Sequence, residues 1–296
     1  MDSRLIVSRK NAKNFYGSKI KVLSPAKINL YLNILGKYPS GYHKIESIAE
    51  RISLFDELTI TIAKHNDIKI SCNKRNLANK ENLCVKSARL LKKKYKIQHG
   101  FDIRLLKRIP VGSGLGGGSS NAALTMLAID ELCGLSLDKN TLYELGSCIG
   151  SDVNFFLAQS RFAVISGRGE KVLPIEGKTF KHTIIWPGSS LATSKVYGNY
   201  RAKLTNFLNN VKMLTYALKK GDCQLLKNNI FNALENVALC LCMELSAAKI
   251  KLLKNGIFSR VTGSGSAIYT LCENSLQKKV KSILPKDWFI FHVQTF

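Results

Sequence analysis

The chain has 296 residues, of which 45% are hydrophobic and 22% charged, and it carries a formal net charge of +25. That is room for two domains with ordinary apolar cores, and it excludes disordered and fibrous classes. No apolar run reaches the roughly 18 residues that cross a bilayer, and residues 1–19 lack an apolar secretory segment, so the expectation is a cytoplasmic protein with no membrane partner. The basic excess raises nucleic-acid binding through phosphate neutralisation. Only 11 of the 45 basic residues are Arg, and Lys92 to Lys96 and Lys278 to Lys281 sit in amphipathic helical stretches as solvated faces do. No basic strand is interleaved with aromatics, so no nucleic acid is expected, and a field that draws in small polyanions explains the charge as well. Eight cysteines without a C-x-x-C pair or a histidine at ligand spacing read as reduced thiols.

Residues 1–19 read as a basic N-terminal extension. Residues 20–35 alternate as a strand interrupted at Ser24-Pro25, with Ile28, Leu30, Leu32 and Ile34 on one face. Residues 39–41 form a turn, and 51–62 and 67–72 are strands. Helical spacing covers 82–95, alternation returns over 101–105, and Ala, Leu and Met make 121–132 a strong helix, followed by a second over 141–149. Strands at 161–166 and 171–175 flank the hairpin turn Gly167-Arg-Gly-Glu170, with a further strand at 183–186. Helices are then expected over 203–219, 224–241 and 243–254, the last stopped by Gly256. A second glycine turn lies within 261–271, a helix over 276–283 and a closing strand over 288–293. The whole is an α+β chain.

The feature richest in chemistry is Pro110, Val111, Gly112, Ser113, Gly114, Leu115, Gly116, Gly117, Gly118, Ser119 and Ser120, between a strand and an Ala-rich helix. Glycine permits positive φ and close backbone approach, and the first helical N–H groups offer positive partial charge, so a phosphate cradle is the natural product. A Walker-type loop is excluded because no Lys follows the glycines. The formal dinucleotide match Gly112-x-Gly-x-x-Gly117 is weak, since the acid some twenty residues on, Asp138, falls in a loop between helices and reads as a helix cap. The further motifs of protein kinases are missing.

This run resembles the second motif of the galactokinase, homoserine, mevalonate and phosphomevalonate (GHMP) kinase superfamily. Residues 24–30, Ser-Pro-Ala-Lys-Ile-Asn-Leu, resemble its first motif, and 261–267, Val-Thr-Gly-Ser-Gly-Ser-Ala, its third. Ala26-Lys-Ile-Asn-Leu30, Gly41-Tyr-His43, Asn82-Leu83, Gly150-Ser-Asp-Val153 and Gly167-x-Gly-Glu170 are similar to the branch that phosphorylates the 2-hydroxyl of 4-diphosphocytidyl-2-C-methyl-D-erythritol in non-mevalonate isoprenoid biosynthesis. Asn154 and Ala192 stand where that branch commonly has proline.

The resemblance implies an ATP-binding N-terminal domain over 20–170, like the second domain of ribosomal protein S5, and a ferredoxin-like substrate-side domain over 171–296. It implies ATP with Mg²⁺, and a cytidyl diphosphate acceptor. Asp152 would be the base and Lys27 its partner at the reacting hydroxyl; the residues alone favour a helix cap for Asp152, and Lys27 could equally reach solvent. Asn29, Tyr42, His43 and Thr193 are assigned to the acceptor. Asn82 and Lys107 are assigned to the nucleotide base, or else are a helix start and a strand end. The sequence shows no carboxylate cage for the metal and its protein ligands stay unassigned, though the Ser119 or Ser120 hydroxyl could hold it in part. Another GHMP small-molecule kinase, or a catalytically dead nucleotide- or RNA-binding relative, are the alternatives.

Overall fold

The computed structural model describes residues 15–201, 210–271 and 276–296. Most of the expected extension over 1–19, the start of the helix expected over 203–219 and Cys272 lie outside the described residues. The chain separates into two compact units. Unit 1 holds the residues up to Pro25, Phe55–Ile109 and Gly117–Gln159; unit 2 holds Ala26–Leu54, Pro110–Gly116 and Ser160–Phe296. The single cut expected at 170/171 therefore does not divide the units. Strands β1 (Lys19–Lys37) and β2 (His43–Ala63) are 19 and 21 residues long, and each runs out of one unit into the other. β1 is also continuous where a break was expected at Ser24-Pro25. The proline falls where the strand changes unit, a place where one missing backbone donor is tolerated.

In unit 1 the second half of β2 pairs antiparallel with a neighbouring strand, and a third lies parallel beside that one. These are β3 (Ile68–Cys72) and β4 (Gly100–Leu106), in the order β3-β4-β2, with Glu57 opposite Leu106 and Ala63 opposite Gly100. Alternation buries Leu58, Ile60 and Ile62 on β2 and Phe101, Ile103 and Leu105 on β4. Four helices complete the unit: α1 (Leu83–Lys94), α2 (Gly117–Cys133), α3 (Lys139–Ile149) and α4 (Val153–Leu157). α2 is apolar on nearly every side, burying Ala122, Ala123, Met126 and Ile129, as a helix inside a core must. Asp138 is the expected cap, accepting from Thr141 N at 2.9 Å.

In unit 2 the first half of β2 pairs antiparallel with β5 (Phe162–Gly167), which forms a hairpin with β6 (Lys171–Ile175). Gly167 and Gly169 supply the positive φ values of its turn, +78° and +116°. A four-stranded antiparallel sheet is built from β7 (Lys181–Trp186), β9 (Ser259–Val261), β10 (Ile268–Thr270) and β11 (Phe289–Gln294), in the order β11-β7-β10-β9. The short strand β8 (Phe231–Asn232) runs parallel to β1, with Tyr31 opposite Phe231. Helices α5 (Thr193–Asn199), α6 (Asn210–Lys220), α7 (Cys223–Asn229), α8 (Glu235–Leu241), α9 (Met243–Lys254) and α10 (Leu276–Ile283) fill the rest. The single helix expected over 224–241 is thus two helices around β8, and α5 was not expected. Among the described cysteines six are free thiols, but Cys223 is disulfide-bonded, against the all-reduced expectation. No described helix is long and apolar enough to cross a membrane.

Candidate active site

In unit 1 the centre of the site is the start of α2. The helix begins at Gly117, four residues before the expected Asn121, so glycines and serines of the run form its first turn. Their N–H groups have no intrahelical acceptor and point along the positive end of the helix dipole. Gly117 is a glycine for space: a Cβ there would lie 2.8 Å from Lys107 Nζ and 2.9 Å from Ile109 Cγ2. Gly118 faces outward, with Leu83 Cδ1 at 3.6 Å as the nearest atom to an added Cβ. The turn therefore presents bare backbone, which is what close approach of a phosphate requires.

The turn rests on a buried polar cluster. Asp56, fully buried, accepts from Arg108 N at 2.7 Å and Ile109 N at 2.8 Å through Oδ1, and from Asn121 Nδ2 at 3.0 Å through Oδ2. Lys107 Nζ forms a short ion pair with Oδ2 and reaches Asn121 Oδ1 at 3.3 Å. Asn121 Nδ2 also reaches Ser24 Oγ at 2.9 Å, which donates to Ser120 Oγ at 2.7 Å. The Lys107 ammonium pairs with Asp56 and the Ser120 hydroxyl is bonded inside the cluster, whereas Ser119 is half-buried. Asn82 is likewise occupied as the N-cap of α1: its Oδ1 accepts from Cys84 N at 2.9 Å and its Nδ2 donates to Leu77 O at 2.8 Å. Both residues shape the neighbourhood of α2, and each has one more N–H donor than these bonds use, Lys107 Nζ carrying three and Asn82 Nδ2 two.

Asp152 is half-buried and precedes a short helix, α4, that was not expected between the helix at 141–149 and the strand at 161–166. It occupies the N-cap position, yet its side chain makes no capping hydrogen bond. The capping role that the sequence left open is therefore not what holds it there. Asn154, in the place of a proline, is buried and donates to Tyr143 O and Ser147 Oγ, both at 3.0 Å, tying α4 to α3.

In unit 2 the centre is Lys27, 5% exposed on β1. Its Nζ lies 2.5 Å from Asn29 Oδ1, and its backbone N donates to Leu115 O at 2.9 Å, so strand and glycine run are joined. Burial of the ammonium rules out the solvent-reaching alternative. Asn29 is held on every side: Nδ2 donates to Ser47 Oγ at 2.9 Å, N to Thr262 Oγ1 at 3.0 Å, and O accepts from Tyr269 Oη at 3.1 Å. It orients the lysine head group. Residues 110–116 lie against the third glycine motif. Gly114, at φ +80°, would put a Cβ 2.2 Å from Thr262 O, and Ala267 N donates to Ser113 O at 2.9 Å. Gly263 comes close to Lys27 as well, since its Cβ would lie 3.4 Å from Nζ. The stretch after β7 closes the other side, with Leu191 N on Gly112 O at 2.9 Å and Ser190 Oγ on Val111 O at 2.8 Å.

The residues expected at the acceptor also fall in unit 2. His43 tilts against Tyr197, ring centroids 5.1 Å apart, with Tyr200 edge-on at 6.4 Å. Burial first, and then Lys37, lowers the His43 pKa. Tyr42 is exposed and carries the Arg168 guanidinium over its ring at 5.1 Å. Thr193 opens α5, its Oγ1 3.1 Å from Ser264 Oγ. Tyr197, Arg168 and Ser264 were missed by the sequence reading. Tyr197 was hidden by the unexpected helix α5. Asp56 was missed too, although an acid in register with the buried Leu54, Leu58 and Ile60 is a visible signal.

Comparison with known proteins decides the family. The model of the GHMP kinases N terminal domain matches residues 82–159, and that of GHMP kinases C terminal matches 214–289. The 4-diphosphocytidyl-2-C-methyl-D-erythritol kinase of Caldanaerobacter subterraneus subsp. tengcongensis is 34% identical over 89% of this chain and 91% of its own. That of Geobacter sp. (strain M21) is 33% identical over 94% and 99%. This chain belongs to the 4-diphosphocytidyl-2-C-methyl-D-erythritol kinase family. A crystal structure of 4-(cytidine 5'-diphospho)-2C-methyl-D-erythritol kinase agrees, with a TM-score of 0.76 at 28% identity over 92% of this chain and 98% of that one. Homoserine kinase from Cytophaga hutchinsonii, at 17% identity and a TM-score of 0.72 over 97% and 96%, shares the fold. The expected α+β GHMP fold and the small-molecule kinase assignment both stand, with ATP as co-substrate.

Proposed function

We propose that this member of the family transfers the γ-phosphoryl group of ATP to the 2-hydroxyl of 4-diphosphocytidyl-2-C-methyl-D-erythritol. The observation that carries the reading at the site is the buried Lys27 ammonium, oriented by Asn29 and bonded through its backbone to the glycine run. An ammonium held in that place is a fixed positive charge beside the backbone that would receive phosphate. In phosphoryl transfer the demand on the protein is positioning, charge stabilisation and acceptance of one proton. Asp152 takes the proton from the 2-hydroxyl as its oxygen bonds to the γ-phosphorus. The bond from that phosphorus to the β,γ-bridging oxygen breaks and ADP leaves. Lys27 balances the charge gathering on the acceptor oxygen and the transferring group.

The backbone of 110–120 cradles the phosphates, Lys107 braces that cradle through Asp56 and Asn121, and the remaining donors of Asn82 and Lys107 serve the nucleotide base. Asn29, Tyr42, His43 and Thr193 serve the acceptor, where the face of an aromatic ring suits a pyrimidine. Among the described residues no three His, Cys, Asp or Glu side chains gather as a cage for a metal. Mg²⁺ travelling with nucleotide phosphates needs no such cage, and the Ser119 hydroxyl fits as its protein ligand. Bound there, the ion would neutralise phosphate charge. Residues 20–170 supply the ATP side and, through Asn29, Tyr42 and His43, part of the acceptor side, and 171–296 supply the rest of the acceptor side, Thr193 included. The cytoplasm is the proposed location.

The test is ADP release by the purified protein with ATP, Mg²⁺ and, in parallel, the cytidyl substrate, mevalonate and homoserine. Turnover on the cytidyl compound alone, giving the 2-phosphate, is expected. Turnover only on mevalonate or homoserine replaces the acceptor assignment, and no turnover on any removes the kinase activity.

A further inference from the structure

Both flanks of the glycine run meet at one carboxylate. On the incoming side Arg108 N and Ile109 N, the last amides before Pro110, donate to Asp56 Oδ1 at 2.7 and 2.8 Å. On the outgoing side Asn121, directly after Ser120, donates to Oδ2 at 3.0 Å, and Lys107 pairs with the same oxygen. Asp56 is 0% exposed, and Lys107 is 7% exposed. Stability alone does not explain this choice, because a buried ion pair is often matched or bettered by apolar residues of similar volume. What it does specify is geometry: four directional bonds, two to backbone amides, fix where β4 ends relative to where α2 begins. Those are the two points from which the glycine segment hangs. Glycines cannot hold the loop's shape themselves, since their backbones are the least restricted in the chain.

We propose that Asp56 is the positioning residue of the nucleotide cradle, acting through Lys107 and Asn121 without touching substrate. Its carboxylate sets the spacing and aim of the amides that receive the ATP phosphates. This rests on the kinase reading for the identity of the ligand, but its consequences can be read from nucleotide binding alone. An ångström-scale error in such a cradle is worth up to about 100-fold.

The experiment compares wild type with Asp56→Asn, Asn121→Ala and the charge-balanced double variant Asp56→Asn/Lys107→Met. Each is checked for folding by circular dichroism and thermal unfolding, titrated with a fluorescent ATP analogue, and assayed for kcat and for KM of each substrate. Asp56→Asn retains an acceptor for the two backbone amides but sets an amide against the Lys107 ammonium. It is expected to raise the nucleotide Kd and the KM for ATP by about 10- to 100-fold, with the acceptor KM unchanged within about threefold. If Asp56→Asn does not fold, the double variant removes the stranded charge and carries the same expectation. Asn121→Ala, which cuts only the α2 side, should give a smaller rise in the same two quantities.

A folded variant with wild-type nucleotide affinity overturns the proposal. So does a uniform loss of active protein with unaltered KM values, which is what a purely structural residue produces. If wild type binds the nucleotide but phosphorylates no acceptor, the kinase reading fails while the affinity comparison still decides the role of Asp56.

Discussion

The sharpest consequence of the geometry along the glycine run is that two of its glycines, Gly114 in unit 2 and Gly118 in unit 1, should respond oppositely to the same methyl group. Gly114 sits at φ +80°, and its Cβ would fall 2.2 Å from Thr262 O and 3.1 Å from Gly265 N, all of it backbone. A left-handed backbone costs a non-glycine residue about 1–2 kcal/mol. The carbonyl at 2.2 Å must also retreat by about an ångström, straining the bonds Thr262 N to Ala267 O at 3.0 Å and Ala267 N to Ser113 O at 2.9 Å. Losing one of these with its groups left buried adds about 1–3 kcal/mol. Gly114→Ala should then cost about 2–5 kcal/mol, which is a fall in Tm of about 5–15 °C. Because the displaced loop includes Gly263, which comes close to Lys27, turnover should fall with it. Gly118 has no positive φ, and its Cβ would meet only Leu83 Cδ1 at 3.6 Å. Gly118→Ala replaces a poor helix former in α2 and should hold or raise stability by up to about 1 kcal/mol, yet its methyl covers the amides of the first turn.

The assay is thermal unfolding beside ADP release at varied ATP. The expected pattern is a less stable and less active Gly114→Ala, against a stable Gly118→Ala whose KM for ATP rises at least about tenfold, or 1.4 kcal/mol. A Gly114→Ala protein with wild-type Tm and turnover refutes the packing argument. A Gly118→Ala protein with wild-type KM refutes the placement of phosphate on the first turn of α2.

Asp152→Asn and Lys27→Ala should each lower kcat by at least about 100-fold while substrates still bind, the scale of a lost proton acceptor or charge partner; near-normal turnover in a folded Asp152→Asn variant sinks the base assignment. Asn29→Ala removes the acceptor that aims the Lys27 amine at 2.5 Å and should cut kcat by about tenfold; a change confined to the KM for ATP would place Asn29 elsewhere. Burial, the largest cause in each case, lowers the pKa of His43, His99 and His292, so these rings bind fewer protons folded than unfolded. Their contribution to stability is present above the ordinary histidine value of about 6.5 and lost as pH falls through the lowered values. Tm should fall over that acid window, and His99→Gln should flatten the slope; an unchanged slope in that variant removes His99 from the account. In the same window protonation of His43 should raise the acceptor KM, and His43→Gln should abolish the pH dependence of that KM alone.

What could be read from the chain was whatever local chemistry decides. The helix over 82–95 is α1 with Asn82 as N-cap and Tyr95 as C-cap, because a capping asparagine followed by helical spacing is a local signal. The hairpin turn at Gly167 and Gly169 is local in the same way. The errors fall where distant residues overrule local preference. Residues 224–241 read as one helix, but Asn232 is needed elsewhere: its Nδ2 donates to Val261 O at 2.8 Å and Gly263 O at 2.9 Å, which pulls the chain out of helix and into β8. That asparagine supports the third glycine motif, so a break in one element is what positions another. α5 was missed because its sequence Thr-Ser-Lys-Val-Tyr-Gly-Asn has weak helix formers and a glycine; buried Val196 anchors it.

The same logic governs the site. Lys27 and the glycine run could be singled out because their chemistry is unusual for their setting, an ammonium on a buried strand and bare backbone ahead of a strong helix, whereas Asp152 was singled out by the family resemblance. Asp56 was not, because its role exists only through partners 51 to 65 residues away, Lys107, Arg108, Ile109 and Asn121. Groups that touch substrates carry their signature in their own type and neighbours. Groups that aim them do so only in three dimensions, and for this chain the acid at a core register of β2 is the place where that difference can be measured.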